Sequence, residues 1–162
     1  EKMDWIVNKE LKAFICHGFK LIKDSSDYSE KQKIELIDRL LSMGAGVGWR
    51  PKKISINALK SFVQNDFKRP KGIERAHVIH RRDTLNELLI KDWRGDEWWD
   101  WYKERDYTIL STREENRSEI KLKKDHTFDI PLEKNLFLGK RVGYAYGAKE
   151  KEFLRGIAKN IK

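Results

Sequence analysis

The chain has 162 residues, enough for one ordinary domain or one domain with a small appendage. Charged residues make up 38% and hydrophobic residues 39%, and six Trp, seven Phe and five Tyr supply bulky apolar area, a mixture that excludes a disordered chain. The formal charge of +9 points to a polyanionic partner, nucleic acid first, while a single cysteine excludes an intrachain disulfide and a thiolate zinc cluster.

Residues 3–23 place Trp5, Ile6, Leu11, Phe14, Ile15, Phe19 and Ile22 near helical spacing, with Gly18 as a weak point. Cys16 and His17 lie in the apolar run "AFICHGF" and are expected in or at the edge of the core. Ser29 with Gln32 forms a variant capping box for a second helix, whose apolar face is Ile34, Ile37, Leu40 and Leu41. The stretch "MGAGVGWRP" ends that helix, and it lacks the spacing of a phosphate loop. Ser55 can cap a third helix carrying Ile56, Leu59, Phe62 and Val63. The basic turn "FKRPKG" then divides a helical part, 1–70, from a second part, 71–162.

The second part opens on a strand, "IERAHVI" at 73–79. Asp83 and Asp96 can cap two helices, the second with Trp98, Trp99 and Trp101. The stretch "YTILS" at 107–111 reads as another strand, and "TREENRSE" as a helix with Thr112 at its cap and Glu115 at the third helical position. An amphipathic helix, "AKEKEFLRGIAKNI", closes the chain. The fold class is therefore α+β and mostly helical, with a small strand–strand–helix unit that holds a helical insertion between its strands. No apolar run reaches the ~18 residues of a membrane span. A lone cysteine and the lack of a basic-then-apolar leader fit an intracellular setting, cytoplasmic or nucleoid-associated; a start at Glu1 rather than Met is what a fragment would show.

In a strand–strand–helix unit the helix packs back on the strands, so His77 and Asn116 are expected to converge. Histidine titrates near neutrality and can deprotonate water. An Asn carbonyl oxygen can ligate a hard cation such as Mg²⁺, and Arg75, Arg81 and Arg82 can hold backbone phosphates. His80, three residues past His77, is expected on the other face as a phosphate contact, joined by Arg113 and Arg117.

At "AHVIHR" and "DYTILSTREEN" the chain resembles the HNH, or ββα-metal, nuclease superfamily, over roughly residues 73–120. The resemblance implies a metal-dependent endonuclease acting on double-stranded DNA, of restriction, homing or phage type, with Mg²⁺ or Mn²⁺ as cofactor. It implies His77 as general base and Asn116 as metal ligand. Many such enzymes are dimeric, so a homodimer that cuts both strands is one arrangement it implies. The chain departs from the pattern at Ala76, where the family usually has a metal-binding Asp or His; Glu74 or water would have to replace that ligand. Asp106 or Tyr107 falls where the family has the Asn that orients the histidine.

Two other readings stand beside this one. "SEIKL" supplies Glu119 and Lys121 of an E-x-K pair, which with Asp106 would make a PD-(D/E)xK nuclease if 118–122 were a strand. A non-catalytic basic module that binds DNA or RNA explains the charge and the aromatic residues without any metal.

Overall fold

The computed structural model describes residues 9–44, 51–118, 126–138 and 143–161. Among them are seven α-helices and one mixed four-stranded sheet, an α+β architecture. No helix of the described residues is long and apolar enough to cross a membrane. The chain forms two compact units, and both are discontinuous in sequence. One is helical and takes residues 1–48 and 79–106; the other holds the sheet and takes 49–78 and 107–162. In this division the helices between the two predicted strands go with the N-terminal helices, whereas the sequence reading divided the chain at residue 70.

In the helical unit α1 (Lys9–Asp24) and α2 (Glu30–Gly44) lie with α4 (Arg81–Ile90) and α5 (Glu97–Arg105). The Ser29 box forms as expected: the Ser29 amide donates to Gln32 Oε1 at 2.9 Å and the Gln32 amide to Ser29 Oγ at 3.3 Å. A Cβ at Gly18 would stand 3.0 Å from Leu40 Cδ2, so the glycine that weakens α1 as a helix also lets α2 approach it closely. The core joins Ile15, Phe19, Ile37, Leu41, Leu88 and Trp98, and Phe19 stacks on Trp98 with ring centroids 4.1 Å apart. Such a pair adds about 0.5–1.5 kcal/mol beyond the area it buries. Burial and the neighbouring Asp96 push the Cys16 thiol up to about 11, so this cysteine stays a neutral core residue. His17, by contrast, is exposed: it falls on the outer face of α1 beside Phe14 rather than in the core.

Beneath α4 lies a buried polar cluster. Arg81 Nε donates to Asp38 Oδ1 at 2.6 Å and its Nη1 to Asp106 Oδ2 at 2.9 Å, while the Tyr102 hydroxyl donates to the same Asp106 oxygen. The Asp106 side chain is fully buried and that of Arg81 is 15% exposed. Burial works against the guanidinium charge, but Tyr102, Asp106 and Asp38 more than offset it and hold Arg81 protonated.

The sheet unit runs β1 (Pro51–Ser55), α3 (Ile56–Gln64), β2 (Ile73–His77), β3 (Thr108–Thr112), α6 (Arg113–Arg117), β4 (Thr127–Asp129) and α7 (Ala148–Ala158). Strand order is β2-β3-β1-β4, with β2 and β4 antiparallel to their neighbours and β1 parallel to β3. β1 is an inner strand that the sequence reading left unassigned; "PKKIS" has one strongly apolar residue, Ile54, which is fully buried opposite Leu110. Ile54, Leu110 and Ile73 share a core with Leu59 and Phe62 of α3 and Leu154 of α7. Ser55 caps α3 as expected, its Oγ accepting from the Ala58 amide at 3.0 Å.

Removing the Arg81 cation by Arg81→Met leaves the Asp106 carboxylate buried without its charge partner. Urea denaturation is expected to show a loss of about 3–5 kcal/mol, the cost of breaking a buried ion pair on one side. A variant as stable as the parent would show that Asp106 is neutral or hydrated in the fold.

Candidate cation site and nucleic-acid interface

β2 and β3 form the antiparallel pair that the sequence suggested, and β3 runs directly into α6. The helical insertion sits between them in sequence. The predicted capping box is complete. Thr112 Oγ1 accepts from the Glu115 amide at 3.2 Å, and Glu115 Oε2 accepts from the Thr112 amide at 2.8 Å. Glu115 also reaches β1 and α3, accepting from Ser55 Oγ at 2.6 Å and from Asn57 Nδ2 at 2.9 Å. These bonds fix the start of α6 against the ends of two parallel strands.

The register then decides which candidates meet. Ile73 pairs with Thr112 at the end of the ladder where α6 begins, and His77 pairs with Thr108 at the other end. Asn116 therefore stands by the first residues of β2, where its Nδ2 donates to Glu74 Oε2 at 2.9 Å. Arg113 Nε donates to the other Glu74 oxygen at 2.7 Å. Glu74 and His77 are three residues apart on a strand, so they face opposite sides, with a rise of about 10 Å between them. The expected convergence of His77 with Asn116 is thus corrected: the structure joins Asn116 to Glu74, the residue invoked only to replace the ligand missing at Ala76.

Glu74 is the centre of this corner. The Asn116 amide, then the Arg113 guanidinium, hold its carboxyl below the usual carboxylate range. Opposite it across the ladder lies Ser111, fully buried, whose hydroxyl has no hydrogen-bond partner among the described residues. Sequence reasoning missed Ser111; only the register places it beside Glu74. Among the described residues no group of three or more His, Cys, Asp or Glu is placed to hold a metal. Both Glu74 oxygens accept from nitrogen donors, Asn116 Nδ2 and Arg113 Nε, so a cation at Glu74 would have to take the place of one of them and meet the Asn116 side chain by its oxygen.

The other candidates divide between the two units. Arg75 faces the core side of β2 opposite Leu110, and burial lowers its guanidinium to about 10, still protonated at neutral pH. The Tyr107 ring carries Lys52 Nζ 4.9 Å from its centroid. Arg113 and Arg117 are exposed on α6. His80, Arg81, Arg82 and Asp106 belong to the helical unit. There His80 is the N-cap of α4 without a side-chain capping bond, and Arg82 is exposed. Arg81 is not an open phosphate contact, because Asp38 and Asp106 occupy it; Asp106 in turn is taken up by Arg81 and Tyr102. Glu119 and Lys121 lie outside the described residues.

Charge follows the same division. The sheet unit carries 21 of the 35 Lys and Arg and 10 of the 26 Asp and Glu, a formal +11, which leaves −2 for the helical unit. The basic character that suggests nucleic acid therefore resides in the sheet unit. No family model, no curated protein and no solved structure matches the chain.

Because Glu74 titrates lower in the fold than its usual 4.5, its bonds stabilise the corner above that pH and are lost as pH falls through the lowered value. A carboxyl NMR titration is expected to find Glu74 below 4.5, and Asn116→Ala is expected to raise it. An unchanged titration in that variant would mean the amide bond does not form in solution.

Proposed function

We propose that the chain is a DNA-binding phosphodiesterase with an HNH-like corner, in which Glu74 and Asn116 would hold a divalent cation. The observation that carries the reading is the Glu74–Asn116 pair at 2.9 Å. Two oxygen-bearing side chains 42 residues apart meet at the corner of a strand–strand–helix unit whose first strand ends in a histidine. Unit charge supports a DNA substrate, since the +11 lies on the unit that holds this corner.

The roles follow from the chemistry of each group. Glu74 and the Asn116 oxygen would hold a hard cation beside the Ser111 hydroxyl on the same face, and that cation would supply Lewis-acid stabilisation of phosphate charge. His77, on the other face of β2 and about 10 Å along it, is not placed to take a proton from a water at this corner. Arg113, whose Nε is bonded to Glu74, and Arg117 would hold flanking phosphates.

One observation favours a second reading, a basic nucleic-acid-binding module without catalysis. His77 and Asn116 sit at opposite ends of the β2–β3 ladder, and Glu74 already has Arg113 as its counter-charge. On this reading the corner is structural and His77 is an ordinary strand-end residue.

Plasmid nicking with Mg²⁺ or Mn²⁺ separates the two. The nuclease reading expects nicking that Glu74→Gln and Asn116→Ala abolish and that His77→Ala leaves in place, with DNA affinity kept in all three. Salt-sensitive binding with no nicking by the parent chain selects the module. Binding that does not change with salt rejects nucleic acid for both.

A further inference from the structure

A second basic feature lies in the sheet unit, away from the Glu74 corner. A groove of about 780 Å³ runs between α7 and the short 3-10 turn Leu132–Lys134. Lys149 and Arg155 of α7, its C-cap Lys159 and Lys134 of the turn line it, against one acid, Glu152. All four cations are exposed. Lys149 Nζ spends one donor on the Asn135 carbonyl at 3.3 Å and keeps two. The floor is apolar: Phe153 and Ile157 are half-buried and Leu136 is buried. Lys134 Nζ stands 5.9 Å from the centroid of the Phe153 ring.

Gly156 is the telling residue. It sits inside α7, where glycine costs about 0.5–1 kcal/mol relative to Ala. A Cβ added there would meet nothing within 4 Å, so no packing partner inside the protein requires the glycine. It lies in the groove wall, and its effect is to leave that wall low.

We infer that this groove seats one strand of nucleic acid, its phosphates on Lys149, Lys159 and Lys134 and its sugar and base faces on the Phe153–Ile157 floor across Gly156. A cationic rim over an aromatic floor is how sequence-tolerant single-strand sites are built. Lys149 and Lys159 are ten residues apart on the helix, about 15 Å. The inference stands apart from the nuclease reading, since binding here needs neither a cation nor His77.

The test is fluorescence anisotropy of a labelled oligothymidylate and of a duplex of equal length, in EDTA, across a salt series. Three variants are compared with the parent: Lys149→Gln/Lys159→Gln, Gly156→Gln, and the charge-matched control Lys31→Gln/Lys60→Gln, whose lysines are exposed and lie outside the groove. Each phosphate contact on a single strand contributes a salt slope of about 0.7, so losing two lowers the slope by about 1.4 and weakens binding at 0.1 M salt by about 25-fold. Gly156→Gln is expected to raise the melting temperature, because it removes a helix glycine, and still to weaken binding by filling the groove. Equal weakening by the control pair would assign the effect to net charge and overturn the inference. So would an unaffected Gly156→Gln, or a groove-dependent affinity for duplex alone. Loss of nicking in Glu74→Gln with oligothymidylate binding intact leaves this groove standing, and a chain that binds here but never cuts refutes only the nuclease reading.

Discussion

The sheet unit depends on the carboxylate of Glu115. One of its oxygens accepts from the Thr112 amide and the Ser55 hydroxyl, and the other from the Asn57 amide. Those donors belong to the end of β3, the end of β1 and the start of α3. A single anion thus satisfies donors at two helix starts and ties together two parallel strands that local hydrogen bonding could not join. Asn116 is the next residue in the chain, so its reach toward Glu74 is set by the same clamp. The candidate cation corner inherits its geometry from a capping interaction.

The helical unit has a different foundation. Arg81 lies between Asp38 and Asp106, with the Tyr102 hydroxyl on Asp106 as well. Asp106, Tyr102 and most of Arg81 are removed from water and compensate one another, while Asp38 meets Arg81 from a half-exposed position. Such a cluster contributes little net stability compared with apolar packing, but it tolerates few alternative arrangements. It ties α2, the first turn of α4 and the residue after α5 to one another, while Trp98, Trp99 and Phe19 supply the apolar burial.

Local chemistry was legible in the sequence. The Ser29, Ser55 and Thr112 caps stand where side-chain type and spacing put them, and the strands at 73 and 108 show in their alternation and apolar runs. Non-local facts were not. β1 escaped because "PKKIS" reads as charged loop, and its strand character comes from neighbours on both sides. Arg81 looked identical to Arg82, since nothing in "HRRD" tells which guanidinium will be buried against Asp38. The pairing of Asn116 with Glu74 depends on register, which composition does not encode; a ladder shifted by one residue would turn β2 over. The grouping of the 79–106 helices with the N-terminal ones is non-local in the same way, and the turn rich in Lys and Pro at residue 70 marks a bend.

The interleaving of the two units sets an order on synthesis. The helical unit takes 28 of its 76 residues from 79–106, and the sheet unit cannot pair β1 or β2 until β3 follows at residue 108. On a ribosome, residues 1–78 hold 48 of the 76 residues of the helical unit and 30 of the 86 of the sheet unit, and the whole of neither. Strands β1 and β2 wait unpaired while α4 and α5 are made. During that interval their backbone donors and acceptors are open to other chains, and the two lysines of β1 and the arginine of β2 act as gatekeepers against premature association.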